Sequence, residues 1–210
     1  MQKSLHSKLF KIIGFFGGSF DPIHYGHLKN ATQLKIKLRL SKLFLMPCAK
    51  PVHKKKLNFS INQRMDMLHL AIKEFNTLLI DNREVKQNRN SYTINSLKCI
   101  QSKYQNNSIC LIMGMDSFNT LSSWEEFQNF YQYCHLVIMS RPGVLTHQKK
   151  YGFRLTDTIN DLTKQKTGFI FFANNQMLNI SSSAIHGKIN SQKNLSGLLP
   201  ESIINYISVL

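Results

Sequence analysis

Short apolar runs recur along the chain, and between them apolar positions fall three and four residues apart. KIIGFFG (11–17) is followed by a helix-period stretch over 25–39, then by KLFLMP (42–47), then by INQRMDMLHLAIKEF (61–75). Runs of this length bounded by turn residues suit buried strands, and the wider spacing suits helices with one face in a core. TLLID (77–81), a helix over Ser91–Lys103, SICLIMG (108–114), a short helix over Trp124–Phe130, CHLVIMS (134–140) and GFIFFAN (168–174) continue the alternation. The end of the chain, SSSAIHGKI and PESIINYISVL, reads as two short helices, with serines at the start of the first and Pro200 at the start of the second. Together these elements predict an α/β fold: a Rossmann-like, doubly wound, mostly parallel sheet of about six strands with flanking helices. In such a sheet the ligand crevice lies beyond the carboxyl ends of the strands. Residues 47–58 and 141–166 are expected to be long polar connections, and without internal repeats or linkers the 210 residues are expected to form one domain over 1–210.

Composition narrows the class. With 42% hydrophobic and 18% charged residues, and no run near the roughly 20 apolar residues of a membrane span, a membrane role is not expected. MQKSLHSKLF is too polar for the apolar region of a signal peptide, so the expected location is the cytoplasm. Cys48, Cys99, Cys110 and Cys134 form no C-x-x-C pair, which points to four buried reduced thiols rather than a zinc or redox site. The net charge of +16 changes the picture more: between Lys35 and Lys56 lie Lys35, Lys37, Arg39, Lys42, Lys50, Lys54, Lys55 and Lys56 with no acid. That surplus suits a nucleic acid, nucleotide or polyphosphate, or simply a solvated lysine-rich face, and charge alone does not choose between them.

Residues 17–28, GGSFDPIHYGHL, carry the candidate chemistry. If the first strand ends near Gly17, Gly17 and Gly18 let backbone approach a ligand closely, and His24 and His27 fall at i and i+3 around a helix start, facing one point. A helix amino terminus offers N–H groups and a positive dipole end to a phosphate, and two imidazoles beside it complete a polyphosphate clamp. Neither G-x-x-x-x-G-K-[ST] nor G-x-G-x-x-G is present, so this is not a P-loop or a dinucleotide fingerprint.

GGSFDPIHYGH resembles the HxGH signature of adenylyltransferases that move AMP from ATP onto a small phosphorylated acceptor, and ISSSAIH resembles the ISSTxIR motif of the same superfamily. Within it, KPVHKK, NSYTINSL, MGMDSFNTLSSW, SRPG and LLPESIINYI are similar to the blocks of nicotinate-nucleotide adenylyltransferases, so that the resemblance spans nearly the whole chain. Three positions depart from the pattern: Val52 replaces a proline, Asn90 a glycine, and His186 the arginine of the second motif. Arginine presents a fixed fork of donors at any pH, whereas histidine has fewer donors and titrates near neutrality.

The resemblance implies attack by a phosphate oxygen of nicotinate mononucleotide on the α-phosphorus of ATP, with pyrophosphate leaving in line. The nucleophile is already anionic, so the protein's work is alignment and charge stabilisation. His24 and His27 are the expected catalytic residues. Gly17, Gly18, Ser19, Phe20, Gly114, Ile180, Ser181, Ser182, Ser183 and His186 are expected around ATP, with backbone amides of 18–20 at its phosphates. For the three serines the alternative is plain helix capping. For His186 it is a solvent-facing ring, with Arg141 supplying the charge. Lys54, or its neighbours Lys55 and Lys56, is expected at the acceptor phosphate, Tyr92 and Thr93 at the nicotinate carboxylate, Asp116 at ribose hydroxyls, and Trp124 on the pyridine ring or else in ordinary core packing. Mg2+ is implied with ATP, held mainly through phosphates and water. The expected partners are ATP and nicotinate mononucleotide, with no nucleic acid, and a second copy of the chain is a further candidate. Two other readings stand beside this one: phosphopantetheine adenylyltransferase, which shares the two short motifs but leaves the SYT and DSFNTLSSW blocks unexplained, and a non-catalytic nucleotide- or RNA-binding module on the same fold, for which no RNA-recognition aromatic motif is found.

Overall fold

The computed structural model of the chain describes residues 9–49, 57–86, 92–140, 150–174, 178 and 180–210. Its strands are β1 (Lys11–Gly18), β2 (Lys42–Pro47), β3 (Leu79–Ile80), β4 (Asn107–Gly114), β5 (His135–Ser140), β6 (Arg154–Thr156) and β7 (Phe169–Asn174). They form one sheet in the order β3-β2-β1-β4-β5-β7-β6, and every pairing is parallel. The helices are α1 (Tyr25–Lys37), α2 (Ile61–Glu74), α3 (Arg83–Lys86), α4 (Thr93–Lys103), α5 (Met115–Asn119), α6 (Ile159–Lys164), α7 (Ser182–Asn190) and α8 (Glu201–Ile207). The predicted α/β, doubly wound class is therefore correct, with seven strands in place of about six.

The sheet is covered on both faces, so its strands are apolar throughout and their side chains alternate between two cores. Ile12 and Phe16 of β1 join Leu43, Leu45, Cys110, Ile112, Val137 and Met139 in one core, where α1, α2, α7 and α8 contribute Leu28, Leu34, Met67, Leu68, Ile185 and Ile203. Ile13 and Phe15 face the other core with Leu111, Met113, Leu136 and Ile138, closed by Ile94, Leu97 and Ile100 of α4 and by Phe118, Leu121 and Phe130. Gly14 sits where a Cβ would come within 2.8 Å of Leu40 and Leu43, so the first core packs directly on the backbone of β1. Ser60 and Gln63 form a reciprocal capping box that starts α2.

Three sequence expectations need correction. Residues 141–166 are not all connection: β6 and α6 lie within them. Arg154 and Leu155 are exposed and β6 has only three residues, too few for a periodic signal, because an edge strand buries little. The helix expected over Trp124–Phe130 is two short 3-10 turns, Leu121–Ser123 and Phe127–Gln132, separated by Glu126 at φ 48°. Of the four thiols, Cys110 and Cys134 are buried, and burial raises the pKa of both, but Cys48 is only half-buried and Cys99 is exposed. Among the described residues, no helix is long and apolar enough to cross a membrane.

Candidate active site

The strand order reverses direction at β1 and β4, which are adjacent while their following helices α1 and α5 pack on opposite faces. Such a switch point opens a crevice at the carboxyl ends of the strands. Gly17 and Gly18 end β1 there and Gly114 ends β4; a Cβ added at Gly17 or Gly114 would meet nothing within 4 Å. A Cβ at Gly18 would come to 3.0 Å from the Phe20 ring. Phe20 is itself buried, its ring edge-on to His27 at 5.2 Å and to Phe16 at 5.6 Å, so only its backbone can serve a ligand.

His24 is the N-cap of α1, in extended conformation, and its ring stacks on that of His27 with centroids 3.7 Å apart and planes 27° apart. Burial holds His24 at 4% exposure and lowers its pKa from 6.5 to about 4, so it is a neutral imidazole. Its Nδ1 is buried and has no hydrogen-bond partner among the described residues. Not all of the helix terminus is open: the Tyr25 amide donates to the Leu198 carbonyl at 3.0 Å. Gly26, buried between the two histidines, is the residue that permits this arrangement. A Cβ there would lie 2.9 Å from His24 Cε1 and Nδ1 and 3.3 Å from the Ile180 carbonyl. That contact also places Ile180 and α7 against α1.

Of the second motif, Ser181 caps α7 by accepting from the Ala184 amide at 3.2 Å, Ser182 reaches the Pro22 carbonyl at 3.5 Å, and Ser183 is exposed. The capping alternative therefore holds for Ser181, which does not prevent its amide end from facing a ligand. His186 does not point to solvent. Its Nε2 donates to the Asp21 backbone carbonyl at 2.8 Å, lies 3.6 Å from the Asp21 carboxylate, and its ring packs on Phe59 at 5.4 Å. Asp21 in turn accepts from the Asn58 and Phe59 amides, each at 2.9 Å.

Of the residues expected at the acceptor, Tyr92, Thr93, Asp116 and Trp124 fall on the other face. Tyr92 is the N-cap of α4 and Thr93 its first residue; Tyr92 and Trp124 both pack against the second core, Trp124 edge-on to Phe130 at 6.4 Å. Trp124 is the capping residue that follows the first 3-10 turn rather than the start of a helix. Asp116 is exposed in the first turn of α5, directly after Gly114. Lys54, Lys55, Lys56 and Arg141 lie outside the described residues. The other half of the basic run is far from the crevice in the topology: Lys35 and Lys37 end α1 and Lys42 begins β2, at the amino end of the sheet.

Three residues were missed. Gly26 was quoted in HYGH but given no role; a glycine in the first turn of a helix is itself a signal of close approach. Asp21 is given no role by the sequence pattern. Arg64 sits with Met67, Leu68 and Ala71 on the buried stripe of α2, at i, i+3, i+4 and i+7, and an arginine on an apolar stripe could have been flagged.

Residues 15–188 match the family described as cytidylyltransferase-like, which defines the class to which this sheet and its histidine pair belong. A "Probable nicotinate-nucleotide adenylyltransferase" of Vesicomyosocius okutanii is 90% identical over 210 residues, all of both chains. One of the same description from Psychromonas ingrahamii is 39% identical over 93% of this chain and 94% of its own. The chain belongs to the nicotinate-nucleotide adenylyltransferase family. The fold is that of the Plasmodium falciparum nicotinic acid mononucleotide adenylyltransferase solved in complex with NaAD: TM-score 0.74 at 19% identity, covering 95% of each chain.

Proposed function

We propose that the chain transfers AMP from ATP to nicotinate mononucleotide, with His24 and His27 as the catalytic pair. A phosphate oxygen of the acceptor bonds to the α-phosphorus, the bond from that phosphorus to the bridging oxygen of the β-phosphate breaks, and pyrophosphate leaves, giving nicotinate adenine dinucleotide. The observation that carries the reading is the stacked histidine pair at the carboxyl end of β1, at the switch point of the sheet, in a chain that matches nicotinate-nucleotide adenylyltransferases end to end. His24 and His27 act as donors to the ATP phosphates. ATP lies over Gly17, Gly18, Ser19 and Phe20 and between Gly114 and the amino end of α7, with Ile180 to Ser183 and His186 closing that side. Nicotinate mononucleotide lies toward the opposite face, with Tyr92 and Thr93 at the carboxylate, Trp124 against the ring, Asp116 near ribose and Lys54 at the phosphate.

Magnesium enters with the ATP as part of the substrate. Its ligands come mainly from the phosphates and water, with no dedicated protein cage needed.

The test is pyrophosphate release from ATP and Mg2+ with nicotinate mononucleotide, nicotinamide mononucleotide or phosphopantetheine. The nicotinate acceptor is expected to give a kcat/KM about 10- to 100-fold above the nicotinamide one, since a carboxamide loses charge-assisted bonds and leaves donors unpaired. Release with phosphopantetheine alone would contradict the proposal, and release with none would favour a binding module.

A further inference from the structure

We infer that Arg64 is a positioning residue for the nucleotide loop: its buried guanidinium holds the carbonyls of Ser19, Cys48 and Ala49, and so sets the Ser19–Phe20 peptide on which the ATP phosphates are to lie. Arg64 is 1% exposed, among the largest fully buried side chains, and sits on α2 beside Met67 and Leu68. A hydrophobic residue of similar length would fill the same volume without bringing a charge out of water. Among the described residues no carboxylate forms an ion pair with it; Asp21 acts on it only through space. Its two Nη nitrogens go instead to three main-chain carbonyls, Nη1 to Ser19 at 2.7 Å and to Cys48 at 2.8 Å and Nη2 to Ala49 at 3.0 Å, while Nε has no partner among the described residues. These carbonyls belong to the two chain segments that leave β1 and β2 at the crevice, which are also joined by the Cys48 amide donating to the Gly18 carbonyl at 3.0 Å.

The consequence for the loop follows from peptide geometry. In a trans peptide the N–H points opposite the C=O, so fixing the Ser19 carbonyl on Arg64 turns the Phe20 N–H to the other side, away from α2. Phe20 itself has φ 46°, a left-handed conformation that a non-glycine residue keeps only when its surroundings over-determine it. Here the ring is held by Phe16 and His27 and the preceding carbonyl by Arg64. The guanidinium thus orients an amide donor and places a fixed positive charge behind it, on the side from which a polyphosphate is attracted.

This inference rests on the proposed placement of ATP, and the experiment separates the two. In the full chain, Arg64→Lys keeps the charge but offers a single ammonium to carbonyls arranged for a fork, and Arg64→Met removes the charge. For Arg64→Lys the expected result is an ATP KM raised by about tenfold or more, with the KM for nicotinate mononucleotide within about twofold and a cooperative melt; Arg64→Met should lose more, and if it does not fold the lysine variant carries the test. Wild-type ATP KM and kcat in the folded lysine variant would overturn the inference, as would equal rises in both KM values, which mark a general loosening. A wild-type chain that releases no pyrophosphate from ATP and nicotinate mononucleotide would overturn the functional reading and this inference with it.

Discussion

Gly26→Ala separates the stability of the fold from the geometry of the site. The added Cβ would stand 2.9 Å from His24 Cε1 and Nδ1 and 3.3 Å from the Ile180 carbonyl, where ordinary contact begins at 3.4 Å. The imidazole must give by about 0.5–1 Å, and it is already stacked at 3.7 Å on His27. Overpacking of this kind costs about 1–3 kcal/mol, and replacing a helical glycine by alanine returns about 1 kcal/mol, so the net loss of stability is about 0–2 kcal/mol. For a chain of this size that is a fall in melting temperature of no more than about 8 °C. A displacement approaching 1 Å at a group that contacts the reacting phosphates costs roughly 100-fold in rate. Thermal melts and pyrophosphate release at 25 °C measure the two quantities on one sample. A folded Gly26→Ala protein whose turnover stays within about threefold of wild type would refute the role given to the His24 ring position.

Acid should weaken the fold by a route fixed in advance. Burial lowers both His24 and His135 to about 4, and His135 is locked neutral by donating to the Gln165 carbonyl while accepting from the Phe169 amide. A base depressed in the folded state stabilises it fully above the unfolded value near 6.5, and that contribution is lost as the pH falls from 6.5 toward 4, at about 1.4 kcal/mol per unit per group. Urea unfolding at pH 7 and pH 5 should therefore differ by roughly 2 kcal/mol for each histidine, and equal stability at the two values would contradict the buried neutral assignments. His186→Arg should lower the ATP KM, because the Nε2 N–H of His186 is committed to the Asp21 carbonyl whereas an arginine fork brings further donors for phosphate. An ATP KM unchanged by the substitution would remove His186 from the phosphate site and leave it as an anchor between α7 and the Asp21 loop.

The parts of this fold that bury continuous apolar backbone were readable, because parallel strands covered on both faces are apolar at every position. β1, β4, β5 and β7 announce themselves in that way. β6 does not, since Arg154 and Leu155 of its three residues face solvent. The 3-10 turns around Trp124 were misread as a helix because the aromatic spacing of WEEFQNF fits a helical period while Glu126 takes a left-handed conformation that no pattern reveals. At the site, the histidine pair and the two glycines were legible from residue type and spacing. Asp21 and Arg64 were not, because their partners are main-chain amides and carbonyls brought together from β1, β2 and the start of α2, and backbone groups leave no trace in a residue pattern.

The most direct test of the central claim is the turnover of His24→Ala and His27→Ala with ATP, Mg2+ and nicotinate mononucleotide. Lost transition-state donors predict a fall in kcat of about two orders of magnitude or more in each variant, with cooperative melts retained. Near-normal turnover in either purified, folded variant would contradict the assignment of the stacked pair at the end of β1 as the group that carries the transfer.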